Sequence, residues 1–569
     1  MIGDVFDRIA ARGERPVWIS LVPRDVAIAS AKAAPRGPLW GIPFAVKDNI
    51  DVAGLPTTCA CPDFATTPAR SATVVERLEA AGAVVIGKTN LDQFATGLVG
   101  TRTPYGIPAC VFDADYVSGG SSSGSAVAVA AGLVSFALGT DTAGSGRVPA
   151  GFNNIVGLKP TKGLISTRGV VPACRTQDTV SIFALTVADA AHVLTATAGT
   201  DADDSFSRRA PAPLVFEPIA PGLRLGVPRG ALEFFGDTEA ERLYRLAVAR
   251  ARDLGASIVE VDFEPFRQAA SLLYAGPWVA ERLAAIKTFA EEKPEAIHEV
   301  VRGIVLGAKD LTAVAAFEGL YRLADLVRLA EREWQAMDMM LLPTSPTIYR
   351  IADVLADPVR LNFNLGLYTN FVNLMDLSAL AIPAGFRPDG LPAGVTLVGR
   401  AFQDAGLSVF GNTLHRSLAE ARLGATSFTL DSTPALATTP PRRIEVAVVG
   451  AHLTGQPLNT QLIERAARLK RTARTALGYS FYALANTSPA KPGLVFDGKG
   501  AGNIEVEVWE MDEAAFGSFV ALIPAPLGIG TVRLADGTSV KGFVCEAYAV
   551  IDALDITAFG GWRAWLAAR

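Results

Sequence analysis

The chain has 569 residues, of which 50% are hydrophobic and 19% are charged, and its formal net charge is −5. This composition is typical of a large folded protein with an extensive core, and it argues against general disorder. The acidic balance argues against non-specific binding to nucleic acid or to an anionic membrane. The first residues mix charges of both signs, and no apolar run approaches the length of a spanning helix, so we expect a cytoplasmic protein.

The five cysteines are odd in number and lack the spacing of a zinc site, and two of them are too close in sequence for ordinary bridging. We therefore expect them to be reduced and structural, and we expect no metal. They are Cys59, Cys61, Cys110, Cys174 and Cys545.

Helix and strand patterns alternate in the first part of the chain. Residues 1–35 have a helical pattern, and 41–53 read as a strand that contains Lys47. Residues 71–82 predict a helix with a serine cap and a terminal glycine, and 83–87 predict a buried strand. Repeated units of this kind indicate one large α/β domain with layered helices and sheet.

The central stretch, residues 118–150, places two small-residue loops around an apolar run. The loops are Gly119–Gly124 and Thr142–Gly146, and the run begins at Ser125. We predict a buried helix followed by a strand. Glycine-rich loops leave backbone N–H groups free, as an oxyanion or phosphate site requires. A flexible linker is the alternative for a Gly-Ser run alone, and the G-K-[ST] of a phosphate loop is missing.

These residues resemble the signature of the amidase signature family. Ser145 follows Ser121 by 24 residues, after the segment Gly139-Thr140-Asp141. Upstream, Lys47 stands in the apolar segment GIPFAVKDN, residues 41–49. The resemblance extends from about residue 20 to about residue 420 and implies an α/β amidase-signature fold, with a mixed β-sheet core covered by helices.

The resemblance also implies roles for individual residues. Ser145 would be the nucleophile, Ser121 the bridging serine and Lys47 the base, with a cis peptide bond between Gly120 and Ser121. The oxyanion hole would consist of the N–H groups of Thr142, Ala143, Gly144 and Ser145.

The residue types near the two loops also favour a lysine base. Serine needs an adjacent base, and the loops contain none of the four histidines. A lysine accepts a proton only when it is neutral, and burial among apolar neighbours lowers its pKa. Lys47 follows such a segment. The alternative is a strand lysine whose amine reaches water.

Several residues depart from the common family pattern. Ser181-Ile182 stands where many relatives have Gly-Pro, and Ser123 and Ala143 stand where relatives often have glycine. These departures indicate a subfamily of amidases. Residues 157–169 form a basic loop that either touches an anionic substrate or is solvated.

Tyr274 and Arg282 match the positions that recognise the substrate carboxylate in allophanate hydrolases. Arginine offers a planar fork to a carboxylate, and the tyrosine hydroxyl can add a hydrogen bond. Spacing alone would make Arg282 a solvated helix residue. The subfamily resemblance is what makes it a candidate for substrate binding.

A second domain follows a Ser-, Thr- and Pro-rich segment. We predict an amidase signature domain at 1–427, a linker at 428–443 and a C-terminal α+β domain at 444–569, with a helix around 460–475. The last of these resembles the C-terminal domain of allophanate hydrolases, whose fold is similar to that of γ-glutamyl cyclotransferases. The matching segments are 450–453, 457–459, 524–531 and 541–543, and His452 is the residue matched to the second site.

The resemblance implies a function for both domains. The first would deaminate allophanate, and the second would promote decarboxylation of N-carboxycarbamate, so that ammonia and carbon dioxide are formed without a cofactor. A homodimer and a functional link to urea carboxylase are expected as well. The pathway, from urea or from triazines such as cyanuric acid, is left open.

Three other functions compete with this hypothesis. The amidase-type subunit of a glutamine-dependent tRNA amidotransferase shares the signature, and a generic small-amide amidase would share the triad. A third alternative is an amidase-like scaffold without activity, which the intact set of Lys47, Ser121 and Ser145 disfavours.

Overall fold

The computed structural model describes residues 2–12, 16–418, 422–440, 443–500 and 503–569. Contacts divide the chain into two compact units, residues 1–439 and 440–569. Within the described ranges, no helix combines the length and the apolar character needed to cross a membrane.

The first unit contains a large mixed sheet. Its order is β1-β3-β2-β4-β6-β5-β10-β11-β9-β7-β8, and β2 lies parallel to both β3 and β4. The strands are β1 (Trp18–Leu21), β2 (Pro43–Lys47), β3 (Val84–Thr89), β4 (Phe136–Asp141), β5 (Val156–Lys159), β6 (Thr179–Ala184), β7 (Arg224–Pro228), β8 (Ser257–Val261), β9 (Met339–Pro343), β10 (Leu377–Phe386) and β11 (Pro392–Arg400).

Helices cover both faces of this sheet. Phe44 and Val46 enter one hydrophobic cluster and Ala45 enters another, because neighbouring side chains of β2 point to opposite faces. The layered α/β architecture is confirmed. The helices are α1 (Ile2–Arg12), α2 (Arg24–Ala33), α3 (Thr73–Ala80), α4 (Ser123–Ala130), α5 (Val148–Phe152), α6 (Val187–Thr197), α7 (Thr238–Asp253), α8 (Glu264–Ala275), α9 (Trp278–Glu292), α10 (Glu299–Leu306), α11 (Ala313–Trp334), α12 (Ile351–Ala356), α13 (Arg360–Leu365), α14 (Phe371–Leu374) and α15 (Asp404–Leu418).

Two predictions near the N-terminus need correction. The helical pattern of residues 1–35 is interrupted by β1, an edge strand that pairs with β3 far along the chain. The helix predicted to begin with a serine cap begins at Thr73, with Ala72 as N-cap and no side-chain cap. The hydroxyl of Ser71 instead accepts a hydrogen bond from the N–H of Ala53, at 2.9 Å.

The predicted buried helix and strand after the Gly-Ser loop are confirmed as α4 and β4. Every residue of both elements is buried. Residues 157–169 were predicted to form a basic loop, but the first three of them belong to β5. Lys159 ends this strand and is fully buried.

The second unit is α+β, as predicted. One sheet has the order β13-β16-β12-β18-β17 and another the order β15-β14-β19. The strands are β12 (Arg443–Val448), β13 (Arg468–Arg474), β14 (Gly478–Ala483), β15 (Pro492–Gly500), β16 (Glu505–Asp512), β17 (Leu527–Arg533), β18 (Ser539–Cys545) and β19 (Leu554–Asp555), and the helices are α16 (Thr460–Ile463), α17 (Glu513–Val520) and α18 (Trp562–Ala567).

The helix predicted around 460–475 is wrong for most of its length. Only α16 is helical, and residues 468–474 form β13, which pairs with β16. Near the end of the first unit, within the predicted linker, residues 430–432 form a 3-10 helix, and Leu436 is buried in a cluster with Val409. The boundaries at 427 and 443 stay predictions.

Candidate active site

The predicted site residues of the first unit gather at one edge of the sheet. The parallel strands β2 and β4 end there, at Lys47 and Asp141, and the loop that carries Ser121 leads into α4 at the same edge. Ligands of open α/β sheets commonly bind beyond the carboxyl ends of parallel strands.

Lys47 is fully buried, and its amine faces two hydroxyl groups. Nζ lies 2.7 Å from Ser121 Oγ and 2.8 Å from Thr140 Oγ1. Burial lowers the pKa of Lys47 to about 7, although the nearby carboxylates, Asp92 foremost, oppose the shift. A substantial fraction of the amine is therefore neutral near pH 7.

The peptide bond between Gly120 and Ser121 is cis, as the resemblance implied. The backbone here is tightly enclosed, because a Cβ at residue 120 would overlap the carboxylate of Asp92 and the amide nitrogens of Val99 and Gly100. Asp92 Oδ2 accepts hydrogen bonds from those two N–H groups, and its own N–H donates to the Ser121 carbonyl, at 3.0 Å. Only glycine fits at residue 120.

The other hydroxyls of the Gly-Ser loop hold the loop in place. Ser122 Oγ donates to the Thr140 carbonyl at 3.1 Å, and Ser125 Oγ donates to the Leu138 carbonyl at 2.9 Å. All residues from 118 to 125 are buried. The loop is thus part of the core, and the flexible-linker alternative is excluded.

Ser145 is buried, and its Oγ lies 3.5 Å from the carbonyl oxygen of Gly97. The hydrogen bonds among the described residues include none from Ser145 to Ser121. They also include no acceptor for the N–H groups of Thr142, Ala143, Gly144 and Ser145. Unused backbone N–H groups of this kind can serve as the donors of an oxyanion hole.

Gly144 is required by the backbone of this segment. Its φ is +151°, and a Cβ there would collide with the side chain of Thr369. Behind it, the carboxylate of Asp141 accepts hydrogen bonds from Arg147 Nε and Nη2, both at 2.9 Å, and from the N–H of Gly146. This buried ion pair holds the turn that presents Ser145.

Asp178 anchors the other side of the same segment. Its carboxylate accepts hydrogen bonds from the hydroxyl of Thr142, at 2.5 Å, and from the N–H groups of Ala173 and Cys174. Burial raises the pKa of Asp178 to about 6, and these hydrogen bonds oppose the shift.

Tyr274 and Arg282 lie on neighbouring helices, α8 and α9, and they contact each other. The guanidinium carbon of Arg282 is 5.3 Å from the centre of the Tyr274 ring. Arg282 is only 2% exposed, so it is not a solvated helix residue. Its Nη1 donates to Thr96 Oγ1, at 3.1 Å. Thr96 adjoins Gly97, which places the arginine close to Ser145.

Sequence reasoning missed Thr96, Arg102, Asp92 and the anchoring contacts of Asp178. Some of their partners lie as far as 186 and 256 residues away, and nothing in their spacing separates them from ordinary loop residues. The roles predicted for the triad and for the oxyanion hole remain predictions that this geometry supports.

In the second unit, His452 lines a cavity of about 170 Å³ together with Gln461 and Lys491. His452 Nε2 is 2.9 Å from Gln461 Oε1, and its ring stacks on Phe543 and meets the edge of Phe519. Burial lowers the pKa of His452, although the hydrogen bond with Gln461 opposes the shift. The lowered pKa favours the neutral imidazole, and the charge of Lys491, which lines the same cavity, contributes to the shift.

Two family models match the chain. The amidase model matches residues 17–407, and the model described as the allophanate hydrolase C-terminal domain matches residues 444–567.

Some relatives align with nearly all of this chain, and others align with about two thirds of it. The urea amidolyase of Saccharomyces cerevisiae is 44% identical over an alignment of 576 positions, which covers 96% of this chain and 31% of the relative. The chain thus spans about a third of the length of the urea amidolyases it matches. A glutamyl-tRNA(Gln) amidotransferase subunit of Symbiobacterium thermophilum is 38% identical, over 65% of this chain and 81% of the relative.

A solved structure matches both units. The allophanate hydrolase of Kluyveromyces lactis is 42% identical, and the match covers 100% of this chain and 96% of that one with a TM-score of 0.78. The amidase model alone covers more than half of the chain. This chain therefore belongs to the amidase family, and it has the two-domain organisation of the allophanate hydrolases.

Proposed function

We propose that this chain hydrolyses allophanate, the carboxylate of urea, to ammonia and carbon dioxide. The observation that carries the proposal is the buried Lys47 amine, 2.7 Å from Ser121 Oγ, at the edge of the sheet where Ser145 and four unused N–H groups lie. The similarity over the full length to the K. lactis enzyme supports the same substrate. The tRNA amidotransferase alternative is not favoured, because that likeness covers about two thirds of the chain.

The first unit performs the deamination. The neutral Lys47 amine accepts the proton of Ser121, which in turn takes the proton of Ser145 as its Oγ attacks the terminal urea-like carbonyl. The N–H groups from Thr142 to Ser145 stabilise the oxyanion. The C–N bond breaks, the amine leaves as ammonia after protonation by the same relay, and water hydrolyses the acyl-enzyme to N-carboxycarbamate.

Arg282 and Tyr274 select the substrate by its carboxylate. The guanidinium is buried, and none of the ion pairs among the described residues includes it. The charges of Asp178 and Glu281 act on it from a distance, and the carboxylate of allophanate supplies the direct anionic partner. The neutral urea-like end is then directed to Ser145.

The second unit promotes loss of carbon dioxide from N-carboxycarbamate. Lys491 offers a positive charge to a carboxylate in the cavity, and the neutral His452, held by Gln461, is available for proton transfer. Loss of carbon dioxide gives carbamate, which yields the second ammonia and the second carbon dioxide.

We also infer a homodimer, formed through the outer face of α11. Val314, Phe317 and Tyr321 repeat at helical spacing and are 66%, 56% and 66% exposed. Glu318 and Arg322 lie one turn apart beside them and are exposed. Arg322 donates to Gln268 Oε1, and its remaining charge would face Glu318 of an antiparallel second copy across a two-fold axis. The molar mass by light scattering tests this, since Phe317→Glu should yield monomers; a monomeric parent protein would contradict it.

The urea amidolyases similar to this chain are about three times its length. A functional link to a urea carboxylase is therefore part of the proposal, with allophanate as the shared intermediate. The cytoplasmic location and the choice between urea and triazine degradation stay predictions.

The test measures ammonia released per allophanate consumed by the full chain. We expect two ammonia, and loss of both in Ser145→Ala; Ser123→Ala is the matched control, because the hydroxyl of Ser123 makes only a 3.5 Å contact with a carbonyl. In His452→Ala the first ammonia should form at the normal rate and the second more slowly. Turnover of simple amides without turnover of allophanate would indicate a generic amidase. A failure of Ser145 to react with a fluorophosphonate would favour the scaffold.

A further inference from the structure

Thr96 lies between the arginine that faces the substrate and the nucleophile. It is 1% exposed, and its hydroxyl uses both of its hydrogen-bonding roles. Oγ1 accepts from Arg282 Nη1 at 3.1 Å and donates to the Phe94 carbonyl at 3.1 Å. Because the Thr96 hydroxyl is itself held by its hydrogen bond to the Phe94 carbonyl, it defines the position of Arg282 Nη1.

The backbone of the same segment is held from the other side. The Thr96 carbonyl accepts a hydrogen bond from Arg102 Nη1 at 2.8 Å, and Arg102 Nη2 donates to the Pro358 carbonyl at 2.6 Å. The next carbonyl in the chain, that of Gly97, lies 3.5 Å from Ser145 Oγ. Two successive residues therefore contact the arginine and the nucleophile.

One edge of the Arg282 guanidinium has no hydrogen-bond partner among the described residues. Nε is buried without a hydrogen-bond partner, and the hydrogen bonds among the described residues include none from Nη2. The Nε–Nη2 edge is one of the two edges of a guanidinium that bind a carboxylate through two parallel hydrogen bonds. The Tyr274 ring, 5.3 Å from the guanidinium carbon, limits rotation of its plane.

We propose that Thr96 is a specificity-determining positioning residue: its hydroxyl takes up Nη1 of Arg282, so that the Nε–Nη2 edge faces the substrate carboxylate at a fixed spacing from Ser145. Arg102 supports this arrangement by holding the Thr96 carbonyl. The inference rests on the proposed function. In allophanate a single nitrogen separates the carboxylate carbon from the carbonyl carbon under attack, so the arginine and the nucleophile tolerate little relative movement.

The test compares Thr96→Val with Thr96→Ser in the full chain. Valine keeps the shape of threonine and removes the hydroxyl, whereas serine keeps the hydroxyl. We expect Thr96→Val to raise KM for allophanate about 10-fold, as the loss of a hydrogen bond to a charged group does, with a smaller change in kcat. Thr96→Ser should stay within about 3-fold of the parent enzyme.

A second readout separates orientation of Arg282 from general damage. The rate at which a neutral fluorophosphonate labels Ser145 should change less than about 2-fold in Thr96→Val, because that reaction does not use the arginine. In an Arg282→Met background, Thr96→Val should likewise have almost no additional effect on KM.

Three results would overturn the inference: an unchanged KM in Thr96→Val, an equal loss of labelling and of allophanate turnover, or the same factor in the Arg282→Met background. If the parent enzyme does not turn over allophanate at all, the proposed function itself fails, which is a different result. Turnover by the parent enzyme with an unaffected Thr96→Val variant refutes only the role of Thr96.

Discussion

Two buried lysines of the first unit differ in what surrounds their amines. Lys47 ends β2 and Lys159 ends β5, and both are fully buried in the same sheet. Burial lowers the pKa of each to about 7. Lys47 faces the hydroxyls of Ser121 and Thr140, whereas Lys159 donates to the Pro160 carbonyl at 2.7 Å.

The two lysines have a similar pKa but differ in whether a proton donor lies beside the amine. A lowered pKa makes the neutral amine available at physiological pH, and both lysines have it. A carbonyl oxygen has no proton to give, so Lys159 has nothing to abstract from Pro160. A serine hydroxyl has a proton to give. Of these two lysines, only Lys47 lies within hydrogen-bond distance of a serine hydroxyl, that of Ser121 in the loop that leads to α4.

The largest expected effect is the difference between two matched variants. Lys47→Met should lower kcat for allophanate by about 10³-fold or more, because the general base is lost. Lys159→Met, an identical change at an equally buried position, should stay within about 10-fold. Ammonia release measures both, with circular dichroism as the check on folding. Comparable losses in the two variants would show that the contact with Ser121 does not set Lys47 apart from Lys159.

The pH profile distinguishes the two lysines in a second way. Only the neutral amine accepts a proton, so kcat/KM should rise with pH through about 7, and its value at pH 6 should be about one tenth of the plateau. Since both lysines have a pKa near 7, the profile of the parent enzyme alone does not identify the group. The inflection should persist in Lys159→Met. Its disappearance there would assign the titration to Lys159.

A smaller effect is expected from the second hydroxyl beside Lys47. Thr140→Val removes the acceptor that lies 2.8 Å from Nζ, so the amine is directed less well towards Ser121. We expect kcat to fall about 10-fold with KM unchanged, and Thr140→Ser to retain most of the activity. An increase in KM alone would show that Thr140 acts on substrate binding instead.

The smallest effect on activity is expected from the surroundings of Lys159. Asp404 accepts hydrogen bonds from the N–H and the hydroxyl of Thr161, at 2.8 and 2.7 Å, and its charge acts on Lys159. Asp404→Asn should lower the melting temperature by a few degrees and change kcat less than about 2-fold. A loss of activity without a loss of stability would contradict a purely structural role.

Local patterns were enough to predict the helix and strand around the site, and the resemblance to the amidase signature family located the candidate catalytic groups. That resemblance rests on local motifs around Lys47, Ser121 and Ser145: a short apolar segment, a Gly-Ser loop and a fixed spacing. The helix and strand now seen as α4 and β4 followed from the apolar run between glycines, and the cis bond before Ser121 from the family resemblance.

Features that depend on distant partners emerged only in the folded chain. Residues 468–474 looked helical but became β13, because β16 offers a strand with which to pair. Ser71 looked like a helix cap but bonds to the N–H of Ala53. Arg282 looked solvated and is buried against Thr96, 186 residues away. Local spacing records periodicity and turn preference, whereas the partner of a polar group is set by how the whole chain packs.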